Sequence, residues 1–320
     1  MSTPHQPTHD PLKPLFMLLL ATVCWGFSFP LMKGVLLAQA RLVPGASDWF
    51  LASQTMVVRF GVAALVMLVI CGRSARRVTP TELKLGIGLG ICAGIGTLFQ
   101  MAGLNHTLAS TSAFLTQLYA LLIPVTLALV NRRWPSPVVW VSCGLVVIGM
   151  GTLCGVNWLH FRLGRGEWMT LLSSVAFMGQ ILWLDRKEFA ACDKTRATLV
   201  LFATMSVMFL PMALLTAGEP RDLWRVNASG PVLVMIAFLT LVCAVAAFSL
   251  MNHWQPHLPP THAGLIYCAE PVFASLYALV LPGLMSRYAG IEYANEQLTA
   301  HLWIGGGLIT LANILIQRDQ

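Results

Sequence analysis

Charge is what this sequence has least of. Only 10% of its 320 residues are Asp, Glu, Lys or Arg, against 57% hydrophobic, where soluble domains carry roughly a quarter charged residues. So few charges cannot cover a water-exposed surface, and those present cluster between long apolar runs rather than in amphipathic stripes. A soluble globular fold is excluded. No two of the eight cysteines are spaced C-x-x-C, and Cys24, Cys71, Cys92, Cys143, Cys154, Cys243 and Cys268 lie in apolar segments, which points to small packing residues rather than a disulfide framework or a metal site. A phosphate-binding G-x-x-x-x-G-K-[ST] loop is missing, as are H-E-x-x-H, G-x-S-x-G and a pair of intramembrane aspartates. The chain therefore cannot itself couple ATP hydrolysis, and an intramembrane enzyme is disfavoured.

What is present is a series of apolar runs. A membrane-crossing helix needs about 20 mainly apolar residues, and ten segments qualify, roughly 15–38, 53–72, 83–104, 108–130, 137–156, 167–185, 197–217, 231–253, 262–282 and 301–317. Residues 1–13 read as a disordered polar tail. Ala38-Gln39-Ala40 looks like a signal-peptidase site, but the run before it is too long for a signal sequence and contains Pro30 and Lys33, so it reads as a mature helix. The formal net charge of +7 gathers in short loops beside the runs, which is a topology signal rather than a nucleic-acid footprint. With a cytoplasmic N-terminus, twelve Lys and Arg fall on the inner side and six on the outer, leaving Lys33 and Arg59 inside helices. That bias predicts both termini in the cytoplasm.

The chain divides near residue 160 into two halves of five predicted helices. Ser112-Ala113-Phe114-Leu115 followed by Pro124 corresponds to His262-Ala263-Gly264-Leu265 followed by Pro271. An odd number of crossings per half makes this an inverted-topology repeat, an arrangement suited to a central site opened alternately to each face. The expected organisation is a tail at 1–13, a first repeat over 14–157, a linker at 158–166 and a second repeat over 167–320 with an extended outer loop at 283–300.

Several motifs carry a family resemblance. Trp25-Gly26-Phe27-Ser28-Phe29 through Lys33, Arg59-Phe60, Gly103-Leu104 and Ala113 to Tyr119 with Pro124 form the first set; Gly166-Glu167, Ala263 to Ile266, Glu270 to Ala274 and Trp303 to Gly306 form the second. In order, spacing and duplication they resemble the drug/metabolite transporter superfamily, specifically its EamA-like ten-helix branch. The resemblance implies an all-α integral membrane fold of ten transmembrane helices in a bacterial inner membrane. It further implies a secondary transporter, a proton-coupled exporter of a small metabolite, amino-acid derivative or drug, without cofactor or metal. Leu281 to Asn295 departs from the family pattern, as does Asn131-Arg132-Arg133-Trp134, which stands where a Gly-Glu pair is common. A non-transporting partner or sensor subunit is the alternative that the long outer loop keeps open.

Ionisable groups inside a span cost about 2.5–3.5 kcal/mol each on insertion scales, so each needs a reason. Glu270, beside Pro271, is the candidate proton-coupling group; the plainer role is a hydrogen-bonded carboxyl that ties helices together. Lys33 and Arg59 are candidates for a positive entrance, or for side chains that snorkel to the interface. Gln100, Asn105, Thr116, Gln117, Tyr119, Gln180 and Asn252, with Trp25, Trp183 and Tyr267, suit either a polar cavity or interhelical hydrogen bonds. The candidate substrate site comprises Trp25, Lys33, Arg59, Gln100, Gln117, Tyr119, Gln180, Trp183, Tyr267 and Glu270. Gly86, Gly90 and Gly94 predict a close helix contact, and Gly151 with Gly155 admits a homodimer or an intrachain contact. His106 and His253 lie near span ends and call for no special role.

Overall fold

The computed structural model describes residues 12–104, 106–107, 109–132, 134–153, 163–297 and 300–317. Residues 1–11 of the polar tail, the chain around residue 160, Asn105, Arg133, Cys154, Gly155, Arg162 and Arg318 fall outside the described residues, whereas Leu12 and Lys13, expected in the tail, begin the first helix because it extends the apolar run. Among the described residues no strand occurs.

The first apolar run is a bent rod, α1 (Leu12–Gly26) and α2 (Ser28–Leu42). It is followed by α3 (Asp48–Cys71), which ends in a 3-10 turn, α4 (Pro80–Leu104), α5 (Ala109–Thr116), α6 (Tyr119–Asn131) and α7 (Pro137–Leu153). The second half holds α8 (Arg165–Leu184), α9 (Lys194–Thr216), the short α10 (Asp222–Arg225), α11 (Gly230–Thr240), a π-helical turn at Leu241–Ala246 and α12 (Ala247–Trp254). It closes with α13 (Pro260–Tyr267), α14 (Glu270–Ala278), α15 (Leu281–Ala289) and α16 (Ala300–Gln317).

All ten predicted stretches contain helix. Among the described residues, length and apolar character alone qualify six to cross a membrane, from Leu12–Leu42 to Gly230–His257, and a seventh if α13–α14 and α15, bent by 53°, count as one. Pro137–Thr152 and Trp303–Ile316 are apolar but shorter. Side chains such as Leu65, Val69, Leu129, Val207 and Leu215 stand exposed on the outside of the bundle, where lipid and not water is the fitting solvent. The chain is thus a helical, multi-pass membrane protein.

The interior is built as two apolar cores that do not coincide with the two halves of the sequence. One gathers side chains of α2, α3, α4, α9 and α11, with Phe60, Leu89, Leu201 and Leu239 at its centre. The other gathers α1, α5, α6, α7, α13 and α16, around Leu18, Ile123, Met150 and Ile309. In the first, α4 lays its small-residue stripe on α9: Gly86 faces Ala197 and Val200, Gly90 faces Leu201 and Thr204, and Gly94 faces Met208 and Phe209. A methyl at Gly90 would stand 2.6 Å from Thr204 Cβ and 2.8 Å from the Leu201 carbonyl, so backbone would have to yield. Gly90→Ala is expected to lower unfolding stability by about 1–2 kcal/mol, read as a fall in melting temperature of the detergent-solubilised protein. Gly144→Ala, where nothing lies within 4 Å, should show no such fall. At the far end of α4, Gly103 and Gly166 pack so closely that each would place a Cβ within 3.0 Å of the other's carbonyl, which accounts for the Gly103-Leu104 and Gly166-Glu167 motifs. Gly149 meets the Gly305 carbonyl where α7 packs on α16, an intrachain contact near Gly151.

The predicted extended loop at 283–300 is in part helix. Residues 281–289 form α15 because Pro282 sits in the first turn, where its missing N–H costs nothing, and Met285 buries itself against Gly34 of α2. The segment after it folds back: Ser286 Oγ donates to the Ile291 carbonyl at 2.6 Å, and the Glu296 N–H donates to the Ala278 carbonyl at 2.9 Å. Lys33 lies 5.9 Å from the Tyr293 ring under this segment.

Candidate functional site

Two interrupted helices cross at the centre of the second core. Between α5 and α6 the ladder breaks at Gln117 and Leu118, where N–H groups bond three residues back, Leu118 to Leu115 and Ala120 to Gln117. Pro124 would leave the Ala120 carbonyl without its helical donor, and the Cys143 thiol donates to it at 3.6 Å. Between α13 and α14 the break falls at Cys268 and Ala269, with the same three-residue bonds, just ahead of Pro271. The rods approach closely at Gly264, which packs against Ile123 and Ala120. At the crossing Gln117 Nε2 donates to Glu270 Oε2 at 2.8 Å. The Gln117 Oε1 atom is buried and has no hydrogen-bond partner among the described residues.

A cavity opens beside this crossing and lies between the two cores. Its empty space is about 610 Å³, part of it open to the outside. Trp25 and Ser28 from the bend of the first rod, Arg59 and Phe60 from α3, Thr97 and Gln100 from α4, Gln180 from α8, and Tyr119, Tyr267 and Glu270 from the broken helices line it. Aromatic rings run along one side: Tyr267 meets Trp25 edge-on at 5.4 Å, Trp25 meets Phe248 at 5.6 Å, Phe248 meets Phe202 at 5.7 Å, and Phe202 stacks on Phe60 at 5.9 Å. The polar members are partly committed. Tyr267 Oη donates to Gln255 Oε1 at 3.1 Å and Gln100 Nε2 to Thr116 Oγ1 at 3.3 Å, while Gln180 Nε2 finds only the sulfur of Met251 at 3.7 Å. Among the described residues no three metal-ligating side chains gather anywhere.

Seven of the ten candidate residues, Trp25, Arg59, Gln100, Tyr119, Gln180, Tyr267 and Glu270, thus face one cavity. Gln117 stands behind the wall and reaches it through Glu270. Two candidates sit elsewhere. Trp183 packs on Gly88, donates to the Leu85 carbonyl at 3.3 Å and carries the Arg186 guanidinium over its ring, which makes it a fastener between α8 and α4. Lys33 lies under the α15 segment, so Lys33 and Arg59 do not line a common entrance; Arg59 is buried, which removes snorkelling as its explanation. Of the remaining polar candidates, Thr116 lines the cavity and Asn252 bonds Thr198 at 2.9 Å away from it. Met32, Phe177, Ile181, Phe248 and Met251 complete the wall; no sequence signal separates these apolar residues from the apolar helices around them.

Comparison with known proteins extends this picture. The chain is 24% identical over 305 residues, 93% of its length and 84% of the relative's, to an uncharacterized transporter of Archaeoglobus fulgidus. The fold recurs in a solved crystal structure that matches 96% of this chain and 97% of its own, with a TM-score of 0.67 at 18% identity. No family model matches the chain, and the likeness of its motifs to the EamA-like branch stays a resemblance.

Proposed function

We propose that this protein is a secondary transporter that carries a small solute through the central cavity by alternating access, with Glu270 as the proton-coupling group. One observation carries the proposal: two interrupted helices, one from each half, pack together beside a cavity, and a carboxylate, Glu270, sits at one break inside an apolar segment. Broken helices at a mid-membrane site are a feature of carriers, since unwound backbone is tolerated in a bilayer only where it is buried or lines a cavity. The relative named as a transporter points the same way.

The helix contacts support the inverted repeat. If α8 answers to α1–α2, α9 to α3, α11–α12 to α4, α13–α14 to α5–α6 and α16 to α7, the packing repeats under exchange of halves. The α4–α8 contact is matched by α12–α1, α5–α8 by α13–α1 and α6–α13 by α14–α5, while α3–α9 and α7–α16 map onto themselves. The moving bodies, however, are the two apolar cores rather than the two halves of the chain. Each core mixes helices from both halves, and the cavity lies on the seam between them, where small rigid-body shifts can open it to either face.

Purified protein in proteoliposomes, challenged with a panel of labelled metabolites, should accelerate flux of some member in a manner that depends on the pH gradient and collapses with a protonophore. Solute flux indistinguishable from empty vesicles across the panel would leave the partner-subunit alternative standing in its place.

A further inference from the structure

We infer that the cavity binds a small organic acid with an apolar body, its carboxylate held by Arg59. The inference rests on the carrier reading for the meaning of the site but not for the binding itself.

Arg59 is only 3% exposed. A guanidinium keeps its charge in proteins and offers five N–H donors in a planar fork. Here Nη1 points to the sulfur of Met32 at 3.7 Å, the guanidinium carbon lies 5.0 Å from the Phe60 ring centre, and Nε has no acceptor. Among the described residues no carboxylate forms an ion pair with it. Thioether sulfur and an aromatic face are weak partners, and a buried cation without an anion is unfavourable. The same side chain lines the cavity, so an occupant that brings in anionic oxygen supplies the missing partner.

The rest of the wall narrows the chemistry. Planar bidentate pairing suits a carboxylate. Glu270 also lines the cavity, and in its ionised state its charge would oppose a dianion, so a monoanion fits one cation best. Trp25, Met32, Phe60, Phe177, Phe248 and Met251 then offer an aromatic and thioether wall for the body of the molecule. Against α3 at this level packs the π-helical turn Leu241–Ala246, and Thr240 just before it places its hydroxyl 3.4 Å from the Arg59 carbonyl. Such turns are rare in helices and frequently mark functional sites.

The test uses the full-length protein in detergent and matched pairs of acid and amide: 3-phenylpropionate with 3-phenylpropionamide, and hexanoate with hexanamide. Binding is read from tryptophan fluorescence, with Trp25 as the reporter in the cavity, and from thermal shift. An acid should bind about tenfold more tightly than its amide, as expected when a charge-assisted pair is lost. In Arg59→Gln, checked for folding by size exclusion, the ratio should fall to near one. Equal binding of acid and amide to the unaltered protein, no binding by either acid, or a preference that survives in Arg59→Gln would each overturn the assignment. The first two are decided without any variant, so a misfolded Arg59→Gln protein does not shelter the proposal. Acid-selective binding in a protein that moves no solute in vesicles would sink the carrier reading alone and leave the anion site in place.

Discussion

Replacing Glu270 by Gln is expected to reduce gradient-driven accumulation to background while solute-for-solute exchange stays within about twofold of the unaltered protein. The two side chains have the same length and shape. The amide oxygen that the substitution introduces can still accept from Gln117 Nε2, as the carboxylate does at 2.8 Å, so the crossing of the two broken helices should hold. What disappears is the exchangeable proton. The orphaned Oε1 of Gln117 bears on why that proton matters: a protonated Glu270 needs an acceptor, and a turn of the Gln117 amide presents this oxygen in place of the NH₂. In the ionised state the amide donates; in the protonated state it accepts. Gln117 can thus follow the charge of Glu270 without a change in backbone, and both sit where the helical ladder shifts to three-residue bonds. Full proton-dependent accumulation by a well-expressed Glu270→Gln protein would remove Glu270 as the coupling group.

The same pair shows how far the sequence could be read. Gln117 and Tyr119 stand out in the sequence because their stretch shares a motif and a following proline with the one holding Tyr267 and Glu270, and three of these four side chains line the cavity. The rest depended on contacts that no local pattern encodes. Trp183 and Trp25 are indistinguishable as tryptophans in apolar helices, yet one fills the space above Gly88 and the other faces the cavity. Phe60, Phe248 and Met251 were invisible as wall residues because a helix with lipid on one side and protein on the other is apolar all round, so the amphipathic stripe that marks a core face in soluble proteins is missing. Helix α15 was hidden for a different reason: Pro282 and Gly283 look like the end of a span, and only the fold-back through Ser286 and Glu296 makes a helix worthwhile there. The division into two mixed cores depends on long-range packing, and no reading of five-helix halves could have anticipated it.

Glu82→Gln is expected to cost about 3 kcal/mol of stability, at the lower end of the range for breaking a buried ion pair because the Arg196 side chain is 19% exposed. The Glu82 carboxylate, itself 2% exposed, is saturated with donors. It accepts from the Thr79 N–H at 2.9 Å, from the Asp193 N–H at 3.1 Å and from Arg196 Nε and Nη2 at 2.9 and 2.5 Å. Thr79 closes the turn in return, its Oγ1 accepting from the Glu82 N–H at 3.3 Å, so one side chain both caps α4 and fastens it to the start of α9. An amide at this position presents NH₂ to donors and leaves Arg196 with Asp193 alone as counter-ion, Asp193 Oδ2 lying 3.2 Å from Nη1. The neighbouring Lys84–Glu188 pair is a built-in control: Lys84 is 52% exposed, and although the Lys84 ammonium holds the Glu188 carboxyl below its ordinary range, Glu188→Gln should lower the melting temperature little. Solvent screens such exposed pairs, and ordering two long side chains offsets most of what attraction remains. A fastening of the strength expected for Glu82 does not open at every turnover. With the glycine stripe beneath it, it makes α4 and α9 a single rigid piece, so the hinge of the proposed transport cycle must lie outside that pair. Equal stability losses in Glu82→Gln and Glu188→Gln, measured by unfolding in the same detergent, would return the α4–α9 contact to the set of surfaces that can slide.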